Sequence, residues 1–182
     1  MTTQATRAEK LLGMNEWQLQ TTSAAIHEAG HAAARWLLGL SATAVYIRDD
    51  GSGGCGGDSC DLTAREYLCF LMGGYAAESM FSRIKPRFND IDDGLYPGSD
   101  LTLARAFLRG DVRRCMGKPI DVAIDSYFNA TMRLLLPGRG AIEAMAVLLM
   151  REKSLSAHQI ASHFGMYSKR RARRFALQAV AV

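Results

Sequence analysis

The chain has 182 residues, 48% of them hydrophobic, enough for one ordinary buried core, and this length favours a single compact domain over two. Its formal charge of +4 is modest and comes largely from Lys169, Arg170, Arg171, Arg173 and Arg174, which argues against a nucleic-acid footprint over the whole surface and leaves only a local one at the tail. The apolar stretches, such as residues 141–150 with Glu143 inside, fall short of the roughly 20 residues a membrane span needs, and the N-terminus lacks the apolar core and cleavage site of a secretory signal, so a soluble cytoplasmic protein without a membrane span is expected.

Residues 21–40 predict a long helix that Thr21, Thr22 or Ser23 can cap, with Ala, Leu and Trp filling its faces and Gly39 beginning to close it. The next segment, ATAVYIR at 42–48, alternates and is rich in β-branched and aromatic residues, which predicts a strand. DDGSGGCGGDSCD then reads as loop. Cys55, Cys60, Cys69 and Cys115 include no C-x-x-C pair, so reduced thiols are expected, although Cys55 and Cys60 flank the glycine-rich loop and could meet. Asp61 or Thr63 can cap a second, apolar helix through LTAREYLCFLMGGYAAESMFS. A glycine inside a helix costs about 1 kcal/mol relative to Ala, so its Gly73-Gly74 pair implies the close approach of another backbone.

Residues 84–98 read as a polar loop broken by Pro86 and Pro97, after which Ser99 caps a third helix with Asp100 in its first turn. Apolar periodicity predicts further helices over 120–136 and 142–152, separated by Pro137-Gly138, and short ones over 156–163 and 168–179. The expected fold is mainly α, with one small β element after the first helix.

The first helix carries HEAGH. Residues four apart stand on one helical face, so His27 and His31 can offer two imidazole nitrogens to one metal while Glu28 projects beside them. Zinc in a hydrolase takes three protein ligands and leaves a position open for water, and a neighbouring carboxylate serves as general base. A surface helix with two solvated histidines is the plain alternative; the apolar flanks AAI and AAARWLLGL favour a buried helix, whose polar groups need partners. The longer H-E-x-x-H-x-x-G-x-x-H pattern is absent, and His158 and His163 lie far downstream. The third ligand is therefore expected to be a carboxylate, with Glu78 and Asp100 as candidates.

AIHEAGHA, LMGGYAAE, GSDLTLA and LLMREKSLSAHQI, in that order, resemble the successive signatures of the FtsH-type proteases, membrane-anchored ATP-dependent zinc proteases, over about residues 20 to 165. The resemblance implies a helical zinc-peptidase domain over 18–166, an N-terminal arm over 1–17 and a basic tail over 167–182. It implies Zn²⁺ on His27, His31 and Asp100, Glu28 as catalytic base, and Glu78 beside the site, fixing a histidine tautomer or making a helix-to-helix hydrogen bond. It also implies that the strand carrying Val45, Tyr46 and Ile47 borders the substrate cleft, where an extended peptide can pair with its edge; an ordinary sheet strand is the alternative. The family's hexamer is implied more weakly.

The 182 residues contain no counterpart of the family's ATPase module or transmembrane helices, and GDVRRCMGKP lacks the glycine spacing and the Ser or Thr of a phosphate loop. Tyr75 also stands where the family usually has arginine. The expected activity is a zinc-dependent endopeptidase cutting flexible or unfolded protein segments, with a separate unfoldase as possible partner. A non-catalytic, zinc-stabilised binding or regulatory module using the basic tail is the alternative.

Overall fold

In the computed structural model, α1 (Glu16–Leu37) runs through the core, lined by Ala25, Ala29, Ala32, Ala33 and Ala34, all nearly inaccessible to solvent. These short side chains bring the neighbouring elements close to the α1 axis. The structure describes residues 16–57, 62–88, 98–115 and 117–165. Cys60, Asp61, residues 89–97 of the expected polar loop, most of the expected N-terminal arm and the expected helix at 168–179 with its basic run lie outside the described residues.

The first helix begins before the predicted cap, and Thr21, Thr22 and Ser23 lie inside it. The Ser23 hydroxyl is engaged elsewhere, donating to Glu78 Oε1 at 2.8 Å. The strand expected over 42–48 is β1 (Ala44–Ile47), with Val45 and Ile47 buried under the sheet. The glycine-rich segment expected to be all loop contains β2 (Gly53–Gly56), antiparallel to β1. Glycine is disfavoured in strands, yet here a side chain would not fit: a Cβ on Gly53 would stand 2.6 Å from Glu28 Cγ, and one on Gly54 would stand 2.8 Å from the Tyr46 hydroxyl. The connecting turn is closed by Arg48 N–H donating to Ser52 O at 2.7 Å and by Asp50 Oδ1 accepting from Ser52 N–H at 2.9 Å.

The expected second helix is two, α2 (Ala64–Leu71) and α3 (Gly73–Ser82), joined at Met72. Thr63 caps α2 in a reciprocal box with Glu66. The Gly73-Gly74 pair serves the predicted close approach, because α1 and α3 touch backbone to backbone there. A Cβ on Gly30 would overlap the Gly73 carbonyl oxygen, and one on Gly73 would stand 3.0 Å from Gly30 O.

Ser99 caps α4 (Asp100–Gly110) as expected, its hydroxyl accepting from Thr102 N–H. A 3-10 turn over Val112–Cys115 follows, then α5 (Ile120–Leu135), and a second 3-10 turn at Leu136–Gly138 passes directly into α6 (Arg139–Glu152). β3 (Ser154–Ser156) and α7 (Ala157–Phe164) complete the described chain, with Ser156 and Gln159 forming the cap of α7. The strand order is β2-β1-β3. β1 is therefore the central strand, paired on both edges, and Val45, Tyr46 and Ile47 offer no free edge to a peptide, contrary to the sequence expectation. Both faces of α1 are covered, by α3 and α6 and by the sheet. Among the described residues no helix is long and apolar enough to cross a membrane.

The Gly30–Gly73 contact yields an asymmetric prediction. Gly30→Ala pushes a methyl group into backbone and should destabilise the fold by about 1–3 kcal/mol. Gly73→Ala meets a looser contact, and the roughly 1 kcal/mol gain in helix propensity offsets part of it. Urea unfolding of the two variants should give a clearly lower midpoint for Gly30→Ala.

Candidate metal centre

His27 and His31 project from the same face of α1 toward the N-terminus of α4, and both converge on one atom. His27 Nε2 and His31 Nε2 each lie 2.9 Å from Asp100 Oδ2. The three potential ligand atoms lie within 4.8 Å of one another. His31 is 3% exposed and Glu28 7%, so the solvated surface helix is ruled out.

The hydrogen-bond chemistry identifies what this arrangement needs. His31 Nδ1 lies 2.8 Å from the Phe70 carbonyl oxygen, which only accepts, so Nδ1 carries the proton. A neutral His31 then turns its Nε2 lone pair toward a carboxylate oxygen that also has only lone pairs. Two acceptors at 2.9 Å repel unless a cation lies between them, and a proton or a metal ion meets that requirement. The donors, two imidazoles and a carboxylate, are those that divalent first-row metals take. The residues present therefore fit a metal.

The electrostatics agree. Burial disfavours a charge on His27, but hydrogen bonding to Asp100 and Glu78 outweighs it and pushes the pKa up to about 10. Burial alone would raise the Asp100 pKa; the facing His31 and His27 instead hold its carboxyl well below the usual range. Glu78 stands further back, with Oε2 3.6 Å from His27 Nδ1 and Oε1 accepting from Ser23. Despite its burial it is held below the ordinary carboxylate range, chiefly by His27.

Glu28 differs from both. It is buried beneath Gly53, its Oε2 has no hydrogen-bond partner, and desolvation raises its pKa despite the nearby imidazoles. A desolvated carboxylate without a partner is the state expected of a proton acceptor. Steric features elsewhere hold the set in place. Gly74 leaves no room for a side chain, because a Cβ there would overlap the His27 ring. Tyr75 meets that ring edge-on at 5.4 Å, and Phe70 packs against His31 at 5.1 Å. Arg35, one turn after His31, lies over the Phe70 ring, 5.0 Å from its centre.

A cleft of about 950 Å³ opens over this group, lined by α1, α3, the start of α4 and residues 50–55 of the β1–β2 hairpin. Sequence reasoning placed His27, Glu28, His31, Asp100 and Glu78 in one site, and the structure brings all five together. Val45, Tyr46 and Ile47 do not line the cleft; Gly53, Gly54 and Cys55 of β2 do. Three supports were missed: Ser23, the Phe70 carbonyl and the Asp50–Ser52 turn. A backbone acceptor has no side-chain signature, and the only trace of the turn was its D-G-S-G composition. Cys55 is a half-buried thiol whose pKa is pushed up to about 12, first by desolvation and then by Glu28. In comparisons with known proteins, no family model matches the chain and no curated protein matches it.

Two predictions follow from the geometry. Equilibrium dialysis should find one Zn²⁺ bound per chain, lost in His27→Ala, His31→Ala and Asp100→Ala. Because Asp100 and Glu78 keep His27 protonated up to about 10, zinc addition near neutral pH should release protons into a weakly buffered solution, and affinity should rise with pH. Gly74→Ala, whose methyl group would overlap the His27 ring at Nε2 itself, should weaken metal affinity about 10- to 100-fold by displacing that ligand.

Proposed function

We propose that the chain is a zinc-dependent endopeptidase acting on flexible or unfolded protein segments. The observation that carries this reading is the joint arrangement of two imidazole nitrogens converging on Asp100 Oδ2 and an unpartnered, buried Glu28 beside them. His27, His31 and Asp100 would hold the ion. When bound, zinc supplies Lewis acidity, lowering the pKa of a water toward about 7 and polarising the scissile carbonyl. Glu28 takes the proton of the attacking water and returns it to the leaving amine. Its raised pKa suits both halves of that task, since the group must bind a proton and then release it. The Phe70 carbonyl holds His31 in the tautomer whose Nε2 faces the ion, and Gly74 and Tyr75 hold the His27 ring.

The substrate enters as extended chain. β1 is enclosed, but β2 is paired only to β1 among the described strands and borders the cleft above Glu28. A peptide added to the outer edge of β2 would run past the catalytic carboxylate, and this requires a segment free of its own secondary structure. The segments resembling the FtsH-type proteases contain His27, Glu28, His31, Glu78 and Asp100, which supports the same reading from the sequence. A binding module that keeps zinc only for stability has no use for Glu28. A buried carboxylate without a partner costs stability, and a glutamine or alanine would serve a structural site better.

Glu28→Gln separates the two readings. Cleavage of an unstructured, fluorescently quenched protein substrate should fall about 10²- to 10⁴-fold, with zinc stoichiometry unchanged. Equal cleavage by wild type and Glu28→Gln would sink the peptidase proposal.

A further inference from the structure

The cleft inverts the charge balance of the chain. The sequence has 22 Lys and Arg against 18 Asp and Glu, yet among the described residues the cleft is lined by Glu28, Asp50, Glu78 and Asp100 and by no lysine or arginine. Asp100 faces the two imidazoles, and Glu28 is more than nine-tenths buried with an unpartnered oxygen. Glu78, which backs the His27 ring, and Asp50 neither hold the ion nor move a proton in that chemistry. They come from different elements, α3 and the β1–β2 turn. Each is held in position from behind: Ser23 Oγ donates to Glu78 at 2.8 Å, and Ser52 donates to Asp50 from N–H at 2.9 Å and from Oγ at 2.6 Å.

A dication on the metal triad offsets only two of the four negative charges, so the loaded cleft stays acidic. Among the described residues the nearby cations have other partners, although the charge of Arg48 also bears on Asp50, less than the hydrogen bonds from Ser52 do. Arg48 lies over the Tyr46 ring at 4.8 Å and donates to Ser52 Oγ, and Lys153 pairs with Asp49 at 3.0 Å. Walls of low polarisability, here Ala24, Phe70 and Tyr75, concentrate the field of such a cleft on whatever enters it.

We propose, building on the peptidase reading above, that this cleft selects peptides with a lysine or arginine flanking the scissile bond, and that Glu78 and Asp50 are the residues that recognise it. A long cationic side chain laid beside the extended peptide meets a carboxylate from α3 or from the turn, whereas an acidic side chain there meets like charge. The preference is electrostatic, so it weakens as salt screens it.

The test uses the zinc-loaded full chain and a set of unstructured, internally quenched peptides identical except that Lys, Arg, Leu or Glu occupies each position flanking the scissile bond. The expected kcat/KM for the Lys or Arg peptides exceeds that for the Glu peptides by about tenfold at low ionic strength, and the ratio shrinks in 0.5 M salt. Asp50→Asn and Glu78→Gln each reduce the ratio, and the double variant removes most of it. A second readout needs no turnover: the Glu28→Gln protein should bind the Lys peptide more tightly than the Glu peptide by fluorescence anisotropy. Cleavage of all peptides at similar rates, or a ratio that survives both salt and the double variant, overturns the basic preference and leaves the peptidase reading standing. Failure of the zinc-loaded wild type to cut any peptide overturns both.

Discussion

The contact between Gly30 and Gly73 is the constraint on which the site depends. It lets α1 and α3 cross with their backbones touching, and the metal-facing residues follow from that separation. His27 lies three residues before Gly30 and His31 one after, so the contact falls between the two imidazoles. On the other helix, Gly74 immediately follows and provides the surface against which the His27 ring rests. One turn further along α3, Glu78 reaches the same ring from behind. A larger residue at the crossing would separate the helices and move the imidazoles away from Asp100 together. Two positions that lack side chains thus control the placement of three that carry the chemistry.

Asp100 reaches the imidazoles by a different route. It is the first residue of α4, directly after the capping Ser99, and so it lies in the positively polarised turn of that helix. Cap, dipole and two facing imidazoles all favour its ionised form, which explains why its carboxyl stays ionised despite burial. Glu28, in the same cleft, has no cap and no hydrogen bond to Oε2, so burial outweighs the pull of the imidazoles and its pKa shifts the opposite way. Two carboxylates a few residues of structure apart are thereby assigned different roles by environment alone, one to hold charge and one to exchange protons.

Much of this was legible in the sequence where the determining information is local. HEAGH encodes its own geometry through helical spacing, and Ser99-Asp100 encodes its own cap. The Gly73-Gly74 pair announced a close approach because nothing else explains two glycines in an apolar helix. Which carboxylate meets the imidazoles was not decided by the residues themselves, because Glu78 and Asp100 differ only in tertiary placement; the resemblance favoured Asp100, and the structure places it 2.9 Å from both rings. The β2 strand was illegible for the opposite reason. Glycine normally signals loop, and here it forms a strand because Glu28 and Tyr46 occupy the space a side chain would take. That error carried over to β1, which looked like an open edge only while its partner was hidden.

The buried state of Glu28 gives the site its direction. An unpartnered carboxylate in a desolvated position costs roughly 1–3 kcal/mol, a large share of the stability of a domain this size. The fold does not merely tolerate this cost. It constructs it, by laying a side-chain-free strand over the carboxylate so that no donor from β2 reaches Oε2. A structural site would relieve such strain with one hydroxyl or amide, and Ser23 and Ser52 show that the same cleft holds such groups. Ser23 is turned to Glu78 and Ser52 to Asp50, and Glu28 is left with a buried, unpartnered oxygen on the wall of the cleft that His27, His31 and Asp100 also line.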